Sequence, residues 1–241
     1  KSRFGSKILS SFVSVKSMSV GLDRPLEKDE LTRKSSPSGV FPLAFWEELM
    51  NAISMLLANW FVWQRCVYLE DQGMNVGDVL IVKYFSALHC PCSVSYHLTL
   101  AMRCRHTEER DRNTWTRVLD MGFTHVCCVA FSWALTHGTT WFVCANAVAN
   151  LVCLCLMVRR CALGGHGGSE SEVVEYFRLG VCSLAYPTGI FMQGRLNDFF
   201  CSWGLLILMC VCQFISPFGH AVSRVPLALF IFVVAQSAAQ T

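Results

Sequence analysis

The chain has 241 residues, 53% of them hydrophobic and 15% charged, with a net charge of +3. A soluble domain of this size carries about a quarter of its residues as Asp, Glu, Lys and Arg, so a mean hydropathy of +0.41 excludes an ordinary soluble globular protein. The small net charge gives no footing for nucleic-acid binding, and where the charges fall matters more than their sum.

Residues 1–40 form a polar arm rich in Ser, Lys and Arg. Its first twenty residues hold Lys1, Arg3, Lys7 and Lys16 and no acid, a bias similar to the end of an organellar transit segment. The first residue is not Met, which reads as a processed form or a fragment. Such a composition predicts disorder in isolation, and a partner subunit is the simplest thing to hold it. Seven apolar runs follow, at 41–63, 75–101, 115–136, 138–158, 173–193, 198–216 and 219–238. Each is long enough to cross a bilayer at roughly 20 residues per span, the sixth only just. The breaks between them are helix-ending chemistry: Asp71-Gln72-Gly73, the charged stretch Arg103 to Arg112, His137-Gly138, Gly164 to Gly168, Gly194 to Asp198, and Ser216-Pro217. Continuous apolar runs favour helices over a barrel, whose strands would alternate. The expected architecture is an all-α membrane protein, a seven-transmembrane helix bundle over 41–241 behind the arm 1–40.

Lys and Arg in the flanks set orientation. Fifteen fall on the side of the arm, the 102–117 loop and the 159–172 loop, against two, Arg65 and Arg195, on the other. The N-terminus is therefore expected inside and the C-terminus outside. Most of the fourteen cysteines lie inside apolar runs. They read as small packing hydrophobes in a reducing or membrane setting rather than as a disulfide framework. Neither Cys90-Pro91-Cys92 nor Cys127-Cys128 has a zinc-ribbon spacing.

Ionisable groups inside spans are functional candidates. They are Glu47 and Glu48 in span one, Lys83, His89 and His97 in span two, and Asp120 and His125 in span three. Glu175 and Arg178 follow in span five, and His220 and Arg224 in span seven. The alternation of spans puts His97, Asp120, His220 and Arg224 at one depth near the inner side. His89, Ser93 and His97 share one face of span two. A Ser93–His97–Asp120–His220 set suits metal-assisted hydrolysis, with imidazoles on zinc and a carboxylate handling the metal-bound water.

The segments Ser93-Val94-Ser95-Tyr96-His97, Leu119-Asp120-Met121-Gly122 and His220-Ala221-Val222-Ser223-Arg224 resemble the S-x-x-x-H, L-D-x-x-G and H-A-x-W-H signatures of the CREST superfamily. That superfamily contains alkaline ceramidases and the progestin and adiponectin receptors. The resemblance covers roughly 75–238 and leaves the arm and first span without a motif. It implies zinc ligands at His97 and His220, with Ser93 and Asp120 supporting the metal-bound water. The third ligand position holds Arg224, which cannot ligate zinc because it stays protonated, and Ser223 replaces the preceding Trp. The expected role of Arg224 is an ion pair with Asp120. His89 or His125 could in principle substitute as a ligand, His89 poorly.

The first reading is therefore a non-catalytic accessory or structural subunit of a larger membrane complex, without a cofactor. It would lie in an organellar inner membrane such as the mitochondrial one and contact lipids and other subunits. The alternatives are a zinc-dependent lipid amide hydrolase, in an ER or Golgi membrane, and a receptor of the progestin and adiponectin type.

Overall fold

A computed structural model describes residues 41–105, 115–162, 179–183, 185–215 and 218–240. The arm 1–40, the Gly164 to Gly168 segment, Glu175, Arg178 and Ser216-Pro217 lie outside the described residues. Within them the chain is all-α and forms a seven-helix bundle. The helices are α1 (Leu43–Asp71), α2 (Val76–Arg103), α3 (Trp115–Thr136), α4 (Thr140–Ala162), α5 (Ala185–Met192), α6 (Leu196–Ile215) and α7 (Gly219–Ala239). Residues 179–183 ahead of α5 are also helical.

Four of these helices, α3, α4, α6 and α7, are long and apolar enough to cross a membrane. Helices α1 and α2 are longer, at 29 and 28 residues, but carry Glu47, Glu48, Arg65, Lys83, His89 and His97 along their length. Their polar groups turn inward, where the bundle can satisfy them. Helix α1 packs on α2 and α7, and α2 on α3 and α7. Helix α3 bears α4 and α5, and α6 packs on α5 and α7.

The helix ends follow local chemistry. At the end of α1, Gly73 adopts φ +69°. Its N–H bonds the Glu70 carbonyl at 2.9 Å and the next N–H, of Met74, reaches back to Leu69 at 3.3 Å. That left-handed stop satisfies carbonyls the helix would otherwise leave open, and glycine alone adopts it without strain. Helix α7 consists of a short turn, Gly219–Val222, and a longer part, Arg224–Ala239. Pro226 explains the interruption at Ser223. It has no N–H to offer the Val222 carbonyl and its ring crowds that group. Ser223 bridges the break, its hydroxyl donating to the His220 carbonyl at 2.7 Å.

The apolar core fills one half of the bundle. Val62, Cys66 and Leu69 of α1 meet Val79 and Val82 of α2, Phe131 and Leu135 of α3, Tyr186 and Ile190 of α5, and Phe230 and Val234 of α7. Tyr186 lies between Phe131 and Phe230, with ring centroids 5.7 and 5.6 Å away. All fourteen cysteines lie among the described residues and are free thiols. Buried ones such as Cys66 and Cys128 act as small core hydrophobes.

Polar contacts tie the end of the bundle next to this core. Lys83 donates to both carboxylate oxygens of Glu70 at 2.9 Å and sits 4.5 Å over the Trp63 ring. Arg65 donates to the Gln236 side chain, and Arg195 to the Gln236 carbonyl at 3.2 Å. The two arginines that stand apart from the basic flanks in the sequence thus meet at one residue near the end of α7. Helix α4 is attached chiefly to α3, through a buried ladder. His125 Nδ1 lies 2.7 Å from Asn150 Oδ1, Asn150 donates to Asn146, and Asn146 donates to Ser132 Oγ and the Cys128 carbonyl at 3.0 Å. Between apolar helices such bonds set which faces meet.

The α6–α7 junction is the tightest approach described. A Cβ on Gly219 would overlap the Cys212 carbonyl oxygen and lie 2.9 Å from that of Gln213. Backbone cannot move aside as a flexible side chain can. Gly219→Ala is therefore expected to lower stability by about 1–3 kcal/mol, the usual cost of overpacking. Unfolding in a denaturing detergent measures it, with Gly204→Ala as the control, since nothing lies within 4 Å of a Cβ there.

Candidate functional site

The half of the bundle away from the apolar core holds His89, Ser93, His97, Asp120, His220 and Arg224, whereas Lys83 lies beside the core on Glu70. Helix α2 supplies His89, Ser93 and His97 one turn apart, so they climb one face. Pro91 lies within this stretch and leaves the Ala87 carbonyl without its helical partner. Helix α1 supplies Glu48 and Asn51, α3 supplies Asp120 and Thr124, and α7 supplies His220 and Arg224.

These groups form two clusters. In the first, His97 Nδ1 lies 2.7 Å from Glu48 Oε2, and Asn51 donates to the same oxygen at 3.1 Å. Arg224 Nη2 lies 3.0 Å from His220 Nε2 and a longer 3.4 Å from His97 Nε2. The His97 and His220 ring centroids are 5.3 Å apart. A guanidinium is a donor only and does not lose its proton, so both Nε2 atoms accept. The His97 ring proton then sits on Nδ1 and donates to Glu48. The resulting chain runs from Arg224 through a neutral imidazole to a carboxylate. It joins α7, α2 and α1, with both histidines in one tautomer.

In the second cluster His89 Nε2 lies 3.0 Å from Asp120 Oδ1. Thr124 Oγ1 is 3.2 Å from the same His89 nitrogen and donates to the Asp120 carbonyl at 3.1 Å. The Arg224 charge also acts on Asp120, which links the two clusters electrostatically. Ser93 lies between His89 and His97 on α2, fully buried, and its hydroxyl has no hydrogen-bond partner among the described residues.

The structure thus brings His97, His220 and Arg224 into direct contact. It places Asp120 close by, but bonded to His89 rather than to Arg224. In place of the expected Asp120–Arg224 ion pair, Asp120 meets His89, one turn before Ser93 on α2, and the guanidinium meets the two imidazoles. His125 is engaged with Asn150 of α4. The residue that motif reasoning left out is Glu48. Its signal is that it stands with Glu47 as an ionisable group in the first apolar run.

The donor set does not fit zinc. Zinc needs imidazole nitrogens at about 2.0–2.1 Å and at least three protein ligands. Here the Nε2 atoms of His97 and His220 both face a cation that cannot ligate. No group of three or more His, Cys, Asp or Glu side chains among the described residues is arranged to hold a metal ion. The arrangement does hold three helices together through buried charge. Breaking a buried charged hydrogen bond strands its partner at high cost.

Glu48→Ala is accordingly expected to cost about 1–3 kcal/mol, the price of leaving the His97 donor unsatisfied. Glu48→Gln, which keeps an acceptor, should cost less. Thermal unfolding in detergent orders the two. A Glu48→Ala chain as stable as the native one would show that His97 is held by other means.

Comparison of the chain with family models, with curated proteins and with solved structures gives no match.

Proposed function

We propose that this chain is a non-catalytic structural or accessory subunit of a larger membrane assembly, built on a seven-span scaffold resembling the CREST superfamily. The observation that carries this reading is that the carboxylates and imidazoles described in its intramembrane polar layer are engaged by one another and by Arg224. Glu48 is engaged by His97 and Asn51, Asp120 by His89, and Arg224 by both histidines that would otherwise face a metal. A hydrolytic centre must instead offer an open position to water and substrate.

The topology of this proposal has seven spans, with the N-terminus inside and the C-terminus outside. Its support is the Lys and Arg asymmetry together with the meeting of Arg65 and Arg195 at the Gln236 end of the bundle. An organellar inner membrane, such as the mitochondrial one, suits the transit-like bias of residues 1–40. Lipids cover the outer faces, and neighbouring subunits contact the arm. The second reading is a zinc-dependent lipid amide hydrolase in an ER or Golgi membrane. It draws on Ser93, whose buried hydroxyl has no partner among the described residues, beside His97.

Extraction from native membranes in mild detergent separates the two. The expected result is a particle far larger than the 27.0 kDa chain, with fixed companion proteins, and no release of fatty acid from a ceramide. A lone chain that cleaves ceramide, and loses that activity in His97→Ala, would overturn the proposal.

A further inference from the structure

Two imidazoles whose Nε2 atoms converge on one point, one of them backed at Nδ1 by a carboxylate, are the common surroundings of a bound divalent cation. The carboxylate fixes the tautomer and turns Nε2 toward the metal. Glu48 does this for His97 at 2.7 Å. The point of convergence is held by Arg224 Nη2, 3.0 Å from one Nε2 and 3.4 Å from the other. We infer that the Arg224 guanidinium is a built-in cation that takes a divalent metal's place, bracing α1, α2 and α7 and keeping metal out.

The charge argument runs in the same direction. The layer contains the carboxylates of Glu48 and Asp120 and the lone pairs of two neutral imidazoles. All four favour a positive charge at their centre. A guanidinium supplies one that is permanent and covalently tethered. A bound metal would make the layer depend on metal supply and on pH, since ligands must be deprotonated to bind it. A tethered arginine removes that dependence.

Backbone geometry follows as well. Positions 220 and 224 are one turn apart, so an imidazole at 224, though shorter than the guanidinium, is expected to turn toward the same two imidazoles. A single side chain therefore separates this bundle from a three-histidine metal site in which Glu48 already stands behind His97. This inference rests on the reading of the chain as a non-metalloenzyme.

The test uses the full chain in lipid nanodiscs, with Co2+ as the probe. The native chain is expected to show no tetrahedral Co2+ absorption, and a melting temperature that neither Co2+ nor EDTA moves. Arg224→His is expected to take up one equivalent of Co2+ with tetrahedral absorption, and to be stabilised by Co2+ and destabilised by EDTA. Adding Glu48→Gln to that variant should weaken Co2+ binding roughly 10–100-fold, the usual effect of losing such a carboxylate. Adding His97→Ala should abolish it, and Arg224→Gln should bind none.

Should Arg224→His fold only when purified with Co2+ present, metal-dependent folding is itself the expected signature. Stoichiometric Co2+ on the native chain, lost in His97→Ala, would overturn the inference. An Arg224→His chain that takes up no Co2+, whether folded without it or failing to fold with it, would overturn it too and leave the accessory-subunit reading intact. A native chain that binds no Co2+ but cleaves ceramide would overturn that reading and leave this inference standing.

Discussion

A guanidinium inside an apolar bundle cannot shed its proton, so the surrounding helices must supply acceptors or the fold loses several kcal/mol. Arg224 is that constraint. At Nη2, His220 supplies an acceptor from the preceding turn of the same helix, and His97 supplies one from α2. His97 can accept at Nε2 only while its proton rests on Nδ1, which requires an acceptor there. Glu48 of α1 provides it. Beside the small apolar cluster of Ala44, Tyr96, Leu100 and Cys104, these bonds commit the three helices to one arrangement.

The rest of the architecture divides the work by location. One half of the bundle is a packed apolar core of aliphatic, aromatic and thiol side chains, closed off by the Lys83–Glu70 pair and the arginines at Gln236. The other half carries the buried charges. Between membrane helices the hydrophobic effect discriminates little, because lipid is as apolar as a leucine. Polar contacts therefore decide which faces meet. The Arg224 layer does this for α1, α2 and α7, and the His125–Asn150–Asn146–Ser132 ladder does it for α3 and α4.

The helices were legible because hydropathy and helix breakers are local signals. The third run, 115–136, coincides with α3, and the second and seventh differ from α2 and α7 by a residue or two. The first run is shorter than its helix. It ends at residue 63, where Gln64 and Arg65 begin, while α1 continues to Asp71 because Cys66 and Leu69 still face the core and Gly73 supplies the stop. The shared depth of His97, His220 and Arg224 was also legible, from spacing and the alternation of spans. The pairing within that depth was not. The alternation of apolar runs puts the opposite charges Asp120 and Arg224 at one level and joins them, whereas the structure sets Asp120 against His89, two turns from His97 on α2.

Sequence alone thus determined that the chain is helical, too apolar for a soluble domain, and furnished with a small set of ionisable groups inside its apolar runs. It also determined that the third position of the histidine pattern is a permanent cation, since that is a matter of residue identity. Only the tertiary structure decided what the cation does. Helix rotation and the tilt of imidazoles are set by packing among several helices, which no stretch of sequence encodes by itself. That packing put Glu48, from a helix without any motif, behind His97 and put the guanidinium where two imidazole lone pairs converge.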